Sequence, residues 1–308
     1  MAHPTPGRRR ASIVGRKPEN VLIVPEQIRM LASALTEALS PAKREVYIFL
    51  FMPSAEGDVG FRVFRGDQPG ALPRLAMPGA LKCHTHLLPG PEDTAFTPPS
   101  ETDLVGTIWD NLMDRDSTRY NVVFQPNGGL WWYRPQQELL KELLALQPDL
   151  MAQLDRDSAE RVTPQEYVEE KARGAWVYDF PFTPKMLERV IALERLLSEL
   201  QLGLRTGTAS FVEEDSETGE EHETMNKAAT LADYLAETSK AGFDVHYAGP
   251  RQEAAVPLTD KQMALAAQQS AADRGALSVD KLTDNPSLLL YLTDRLSDPD
   301  SLDEPDYL

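Results

Sequence analysis

Apolar residues recur at helical spacing through PEQIRMLASALTEALSPAKR, and the pattern stops at Ser40-Pro41, which predicts a first helix closed by a proline that cannot continue it. The period then changes. EVYIFLFM is an unbroken apolar run of strand length, VGFRVFRG alternates apolar and polar residues, and GALKCHTH is a third strand candidate. Helical spacing returns in TDLVGTIWDNLMD, where Leu104, Ile108 and Leu112 form one stripe. YNVVFQPNGGLWWYRP then reads as a hairpin turning at Asn127-Gly128-Gly129, and its aromatics Trp131, Trp132 and Tyr133 suit core and edge cover better than a ligand platform.

Beyond residue 138 the pattern is mainly helical. QQELLKELLALQPDLMAQLDRD and PKMLERVIALERLLSELQLGL carry leucine-rich stripes, and MNKAATLADYLAETSKAG and DKQMALAAQQSAADRG are shorter candidates. Trp176, Tyr178, Phe180 and Phe182 alternate within an extended stretch. TGTASFVEEDSETGEEHETMN is acidic and reads as a mobile loop, with His222 in a solvated charge run. The expected organisation is a basic disordered arm over 1–19, a mixed α/β domain over 20–138, a mainly helical accessory region over 139–293 and an acidic disordered tail over 294–308.

The 308 residues suffice for one substantial domain and a smaller one. A net charge of −17 argues against nucleic acid as partner, since phosphate backbones are held by clustered Lys and Arg. The basic exception is PGRRRASIVGRK, whose Ser12 follows Arg-Arg-Arg-Ala and carries a weak phosphorylation signal. A single cysteine, Cys83, excludes an internal disulfide, suits a reducing compartment and is read as apolar filler. No apolar run approaches the roughly 20 residues of a membrane span and no secretory signal is visible, so a soluble cytoplasmic protein is expected.

Candidate chemistry is concentrated between residues 84 and 103. On a strand, His84 and His86 point to one face while Thr85 points away, so both imidazoles can meet one ion. Asp103 would be the third ligand. Two imidazoles and a carboxylate leave one tetrahedral position for water, the pattern of a catalytic zinc site. Pro98 and Pro99 precede Ser100, which is also a natural helix N-cap with Asp103 three residues on.

KCHTHLLPGPEDTAFTPPSETDL resembles the JAMM motif of the JAB/MPN metalloprotease family: His-x-His, a spacer, then Ser-x-x-Asp, with a glutamate upstream. The spacer between His86 and Ser100 is longer here than the family's common form, and Leu87 stands where a proline often follows. The resemblance implies a cytidine-deaminase-like mixed sheet flanked by helices over about residues 20–138. It also implies Zn2+ held by His84, His86 and Asp103, with Ser100 as donor to the bound water or oxyanion. The general acid/base would be Glu45, with Glu56 as rival in the turn-like PSAEGDVG. The implied activity is hydrolysis of an amide or isopeptide bond of a protein substrate, a ubiquitin-like conjugate among the candidates. The alternative is a non-catalytic MPN-type scaffold or assembly subunit, forming homo- or hetero-oligomers through the later helices.

Overall fold

The computed structural model describes residues 20–42, 44–51, 59–65, 79–88, 96–113, 119–150, 152, 183–207, 210–214, 221–225, 229–268 and 276–297. The basic arm, Glu56, the alternating aromatics from Trp176 to Phe182, and residues 298–308 of the acidic tail lie outside them.

The strands read from the sequence form as β2 (Val46–Phe51), β3 (Gly60–Arg65) and β4 (Ala80–Thr85), preceded by a short β1 (Val21–Ile23) and the helix α1 (Glu26–Leu39). Ser40-Pro41 closes α1 in a single 3-10 turn. β2 lies between β3 and β4, antiparallel to both, and all six of its residues are buried, which is why its sequence is continuously apolar. After β4 the chain crosses over through α2 (Glu101–Met113) to β5 (Asn121–Phe124), which pairs parallel to β4. A parallel neighbour requires such a crossover, and the helix that provides it is the one carrying Asp103. The hairpin to β6 (Leu130–Pro135) turns through Gln125–Gly129, with Gly128 at φ 84° in the left-handed region that favours glycine.

The sheet does not end at β6. Past α3 (Gln137–Leu146), α4 (Pro184–Thr206), a small ladder of β7 (Ser210–Glu214) with β8 (Glu221–Met225), and α5 (Leu231–Lys240), strand β9 (Phe243–Ala248) pairs along the whole of β6. β10 (Ala255–Pro257) pairs with β1; α6 (Asp260–Gln268) follows, and β11 (Leu277–Ser278) joins the opposite edge of the sheet against β3. Helices α7 (Val279–Asp284) and α8 (Pro286–Ser297) complete the described chain. The result is a mixed seven-stranded sheet in the order β11-β3-β2-β4-β5-β6-β9, flanked by helices.

Three sequence expectations change. The acidic stretch read as a loop contains the antiparallel β7–β8 ladder, because Phe211, Val212 and Thr224 supply strand propensity inside it. The region read as mainly helical contributes two strands to the main sheet, so the boundary drawn at 138 does not separate two cores. FDVHYA, the β9 segment, carries a period-2 pattern of Phe243, Val245 and Tyr247 that was open to reading. Residues 294–297, expected to open the acidic tail, belong instead to α8, which runs to Ser297.

One face of the sheet packs Val46, Ile48, Leu50, Cys83 and Val122 against Leu31 and Leu35 of α1 and Leu292 of α8. The other packs Val123, Trp131 and Tyr133 against Leu104 and Ile108 of α2, Leu193, Leu197 and Leu200 of α4, and Tyr234 of α5. Trp131 and Tyr133 are core, whereas Trp132 points to the opposite face, where its ring stacks on His246 at 5.2 Å. Cys83 is fully buried on the α1 face, away from His84, and burial pushes its thiol well above the usual range.

Since α4, α5 and β9 cover the face that carries α2, a chain ending at Glu138 leaves Ile108, Trp131 and Tyr133 uncovered. Such a chain is expected to be insoluble or to lack a cooperative melt, as followed by circular dichroism. A soluble 1–138 fragment with a sharp thermal transition would contradict this account of the core.

Candidate metal centre

The site sits at the C-terminal end of β4 and the N-terminus of α2, where the sheet changes from antiparallel to parallel pairing. Ligand sites in α/β sheets favour this position, because strand ends and helix N-termini open together there. Cys83 and Thr85 face the α1 side, so His84 is directed to the α2 side and His86 follows two residues on. The Val46 N–H donates to Thr85 Oγ1 at 3.2 Å, which anchors the strand end that carries both histidines.

α2 begins with a reciprocal cap. The Asp103 N–H donates to Ser100 Oγ at 3.0 Å, and the Ser100 N–H donates to Asp103 Oδ2 at 2.8 Å. Ser100 is therefore the N-cap that its sequence context suggests. Its hydroxyl also donates to Asp103 Oδ2 at 2.8 Å, which fixes the carboxylate toward the sheet. The preceding segment is held by later parts of the chain: Tyr234 donates to the Pro99 carbonyl at 3.4 Å, and Phe96 packs on Trp131 and Tyr247. In the amide orientation that satisfies both its ends, Gln125 accepts from the Thr97 N–H at 2.7 Å and from Trp131 Nε1 at 2.9 Å.

The Asp103 carboxylate lies between the two imidazoles. Oδ2 is 2.9 Å from His86 Nε2, and Oδ1 is 3.1 Å from His84 Nε2. The first contact is a hydrogen bond. The second has the distance but not the alignment, and His84 Nε2 is a buried nitrogen without a hydrogen-bond partner. A buried polar atom in that state is costly unless a further group meets it. One ligand atom from each of His84, His86 and Asp103 lies within 4.8 Å of the others, so the three donors fit around one cation. The donor set of two imidazoles and a carboxylate is one that Zn2+ accepts.

Glu45 lies one residue before β2. Tyr47 pairs with His84 in the antiparallel register, so continuing the register by two residues sets Glu45 opposite His86 on the same face. Its carboxylate is half-buried and close enough to favour the charged form of His86. Arg205, in the last turn of α4, opposes that effect. The structure thus brings Glu45, His84, His86, Ser100 and Asp103 together, while Glu56 lies outside the described residues.

Sequence reasoning passed over Lys82, Asp110, Asn121 and Arg205, and read Tyr133 only as core. Lys82 precedes His84 by two residues and Asp110 follows Asp103 by two helical turns, so periodicity was a usable signal for both. Tyr133 and Arg205 come from elements whose proximity only the fold creates. Burial first, then the charge of Asp103, holds the Tyr133 phenol well above its ordinary range, so it remains protonated beneath the site.

The ionisation states follow from the same geometry. Burial disfavours the Asp103 carboxylate, but the paired histidines outweigh it and hold the carboxyl well below its usual range. For His86, burial disfavours the charged form, yet the Asp103 hydrogen bond, with the charges of Asp103 and Glu45, leaves its pKa raised. Stabilisation from a raised histidine is fully present below the unfolded value of about 6.5 and is lost as pH rises through the folded value. That from a depressed carboxylate is present above about 3.9 and lost as pH falls through its folded value.

Chelator-treated wild type is therefore expected to be stabilised over His86→Ala by more at about pH 6 than at about pH 8. Thermal melts of both proteins across that range measure the difference and cancel the general effect of net charge. A gap that widens with rising pH would reverse the assigned direction.

Comparison of the chain with protein-family models, with curated proteins and with solved structures finds no match.

Proposed function

We propose that this chain is a zinc-dependent hydrolase of the JAB/MPN (JAMM) type that cleaves an amide or isopeptide bond in a protein substrate, ubiquitin-like conjugates being the class to test first. The observation that carries the reading is that the buried His84 Nε2, which makes no aligned hydrogen bond, faces the same carboxylate as His86, with Glu45 opposite His86 on that face. Two imidazole nitrogens converging on one buried carboxylate, one of them without an aligned hydrogen bond, suit a cation better than a purely structural cluster. Ser-x-x-Asp on the crossover helix beside His-x-His at the end of the adjoining strand supports the reading, since the two halves of the motif that the sequence resembles lie next to each other.

His84, His86 and Asp103 would hold the ion, which supplies Lewis-acid polarisation of a carbonyl and a lowered pKa for water. Glu45 is the general base: its carboxylate takes the proton of the attacking water and returns it to the leaving amine. Its place beside the first residue of a fully buried strand limits its motion, which a proton shuttle requires. Ser100 is held by its own helix N-terminus, whose outward N–H groups favour negative charge; its hydroxyl, which here donates to Asp103 Oδ2, would turn to donate to a developing oxyanion once Asp103 holds the ion. Tyr133 is buried and near enough for the Asp103 charge to act on its phenol, which gives this side of the site an apolar surround.

Native purification followed by metal analysis is expected to find one zinc per chain. His84→Ala, His86→Ala and Asp103→Ala should each lower occupancy, and zinc should raise the melting temperature of the wild type. Binding at a free concentration 100-fold above Kd stabilises the native state by about 2.7 kcal/mol. Absence of metal together with a melting temperature indifferent to added zinc would remove this reading.

With zinc present, Glu45→Gln is expected to retain the metal while losing hydrolysis of a ubiquitin-like conjugate by roughly a hundredfold or more. Metal content and turnover measured on the same sample test both halves of the statement. Full activity in Glu45→Gln would take the general-base role away from Glu45, and a metal-loaded wild type that cleaves nothing would favour the scaffold.

A further inference from the structure

Alongside the three candidate ligands runs a second polar contact between the same two elements. Lys82 Nζ of β4 lies 3.1 Å from Asp110 Oδ2 of α2. Lys82 precedes His84 by two residues and so shares its face of the strand. Asp110 follows Asp103 by seven residues, about two turns along α2, and so shares its stripe. Asp110 Oδ2 also accepts from Asn121 Nδ2 at 3.1 Å, which adds β5 to the tie, and the Lys82 ammonium sits 5.0 Å from the centre of the Tyr47 ring on β2. Three neighbouring strands and the crossover helix meet at one pair of charges.

This pair is more deeply placed than an ordinary surface ion pair. The side chains are 12% and 18% exposed, against 31% and 33% for Arg134 and Asp244. Burial opposes ionisation of Asp110, but the Lys82 and Arg119 charges and the Asn121 hydrogen bond leave its carboxyl below the ordinary range. Such a pair yields little net stability, because desolvation offsets most of the attraction. What it does supply is direction. Apart from the contacts of Asp103 with the two histidines, α2 packs on this face through apolar residues such as Leu104, Ile108 and Leu112, and apolar contact is non-directional. A slide of α2 by one residue is about 1.5 Å, whereas metal ligands tolerate roughly 0.2 Å.

We infer that Lys82 and Asp110 are positioning residues: their ion pair fixes the offset of α2 along β4, and through it the convergence of Asp103 with His84 and His86 on a divalent cation. The inference rests on the metal reading of those three residues, and the experiment separates the two. Full-length protein is stripped with chelator and titrated with Co2+, whose visible absorption reports the number and geometry of its ligands. Wild type is compared with Lys82→Met/Asp110→Leu, which replaces the pair by apolar groups of similar bulk, with the nearly isosteric Asp110→Asn, and with Lys82→Arg. The double variant is expected to keep the melting temperature of the metal-free protein within a few degrees while losing roughly 10- to 100-fold in Co2+ affinity, with an altered band. Asp110→Asn should move in the same direction and decides the matter if the double variant does not fold. Lys82→Arg, which keeps the charge, should restore affinity and spectrum. Wild-type affinity and an unchanged band in Asp110→Asn and in a folded double variant would overturn the inference and leave the metal site standing. A wild type that takes up no Co2+ would overturn both.

Discussion

The structure turns on how one helix is held against one strand. β4 carries both imidazoles and α2 carries the carboxylate, so the candidate site exists only while the two keep a fixed offset. Apolar packing draws α2 onto the sheet without specifying where along β4 it stops. The Ser100–Asp103 cap, the Asp103 contacts with both histidines and the Lys82–Asp110 pair do specify it. Polar groups at a buried face carry a desolvation cost, and they recover it only in one geometry.

That offset depends in turn on residues far along the chain. Tyr234 reaches the Pro99 carbonyl, Tyr247 packs on Phe96, and α4 lies against α2 with Leu193, Leu197 and Leu200 in the shared core. β9 extends the sheet beyond β6 and so completes the floor under these contacts. The helical part of the chain is thereby a structural component of the candidate metal centre, and Arg205 brings a charge from α4 to its rim. This gives the later residues a physical role whether or not they also meet a substrate.

Much of the candidate site was legible because its parts are local. His84 and His86 share a face by the period of a strand, Asp103 sits in the first turn of a helix because two prolines and a serine precede it, and neither statement needs long-range information. Glu45 was legible as the residue opening a buried strand, but its place opposite His86 needed the β2–β4 register. Lys82 and Asp110 were missed although each repeats the period of a named ligand, because a lysine and an aspartate in an ordinary sequence give no sign of each other.

The first helix, the buried strand β2, the histidine strand, the capped helix and the glycine hairpin were determined by the sequence itself, since each is set by side-chain period, by proline and glycine, or by a cap within a few residues. Tertiary structure alone decided that β9 and β11 close the two edges of the sheet, that the acidic stretch pairs as a ladder, and that the residues after 138 share the core of those before it. Strand partners are chosen by which edges remain unpaired once the centre has formed, and burial is shared among segments more than a hundred residues apart. Such choices are properties of the whole chain, which no local pattern contains.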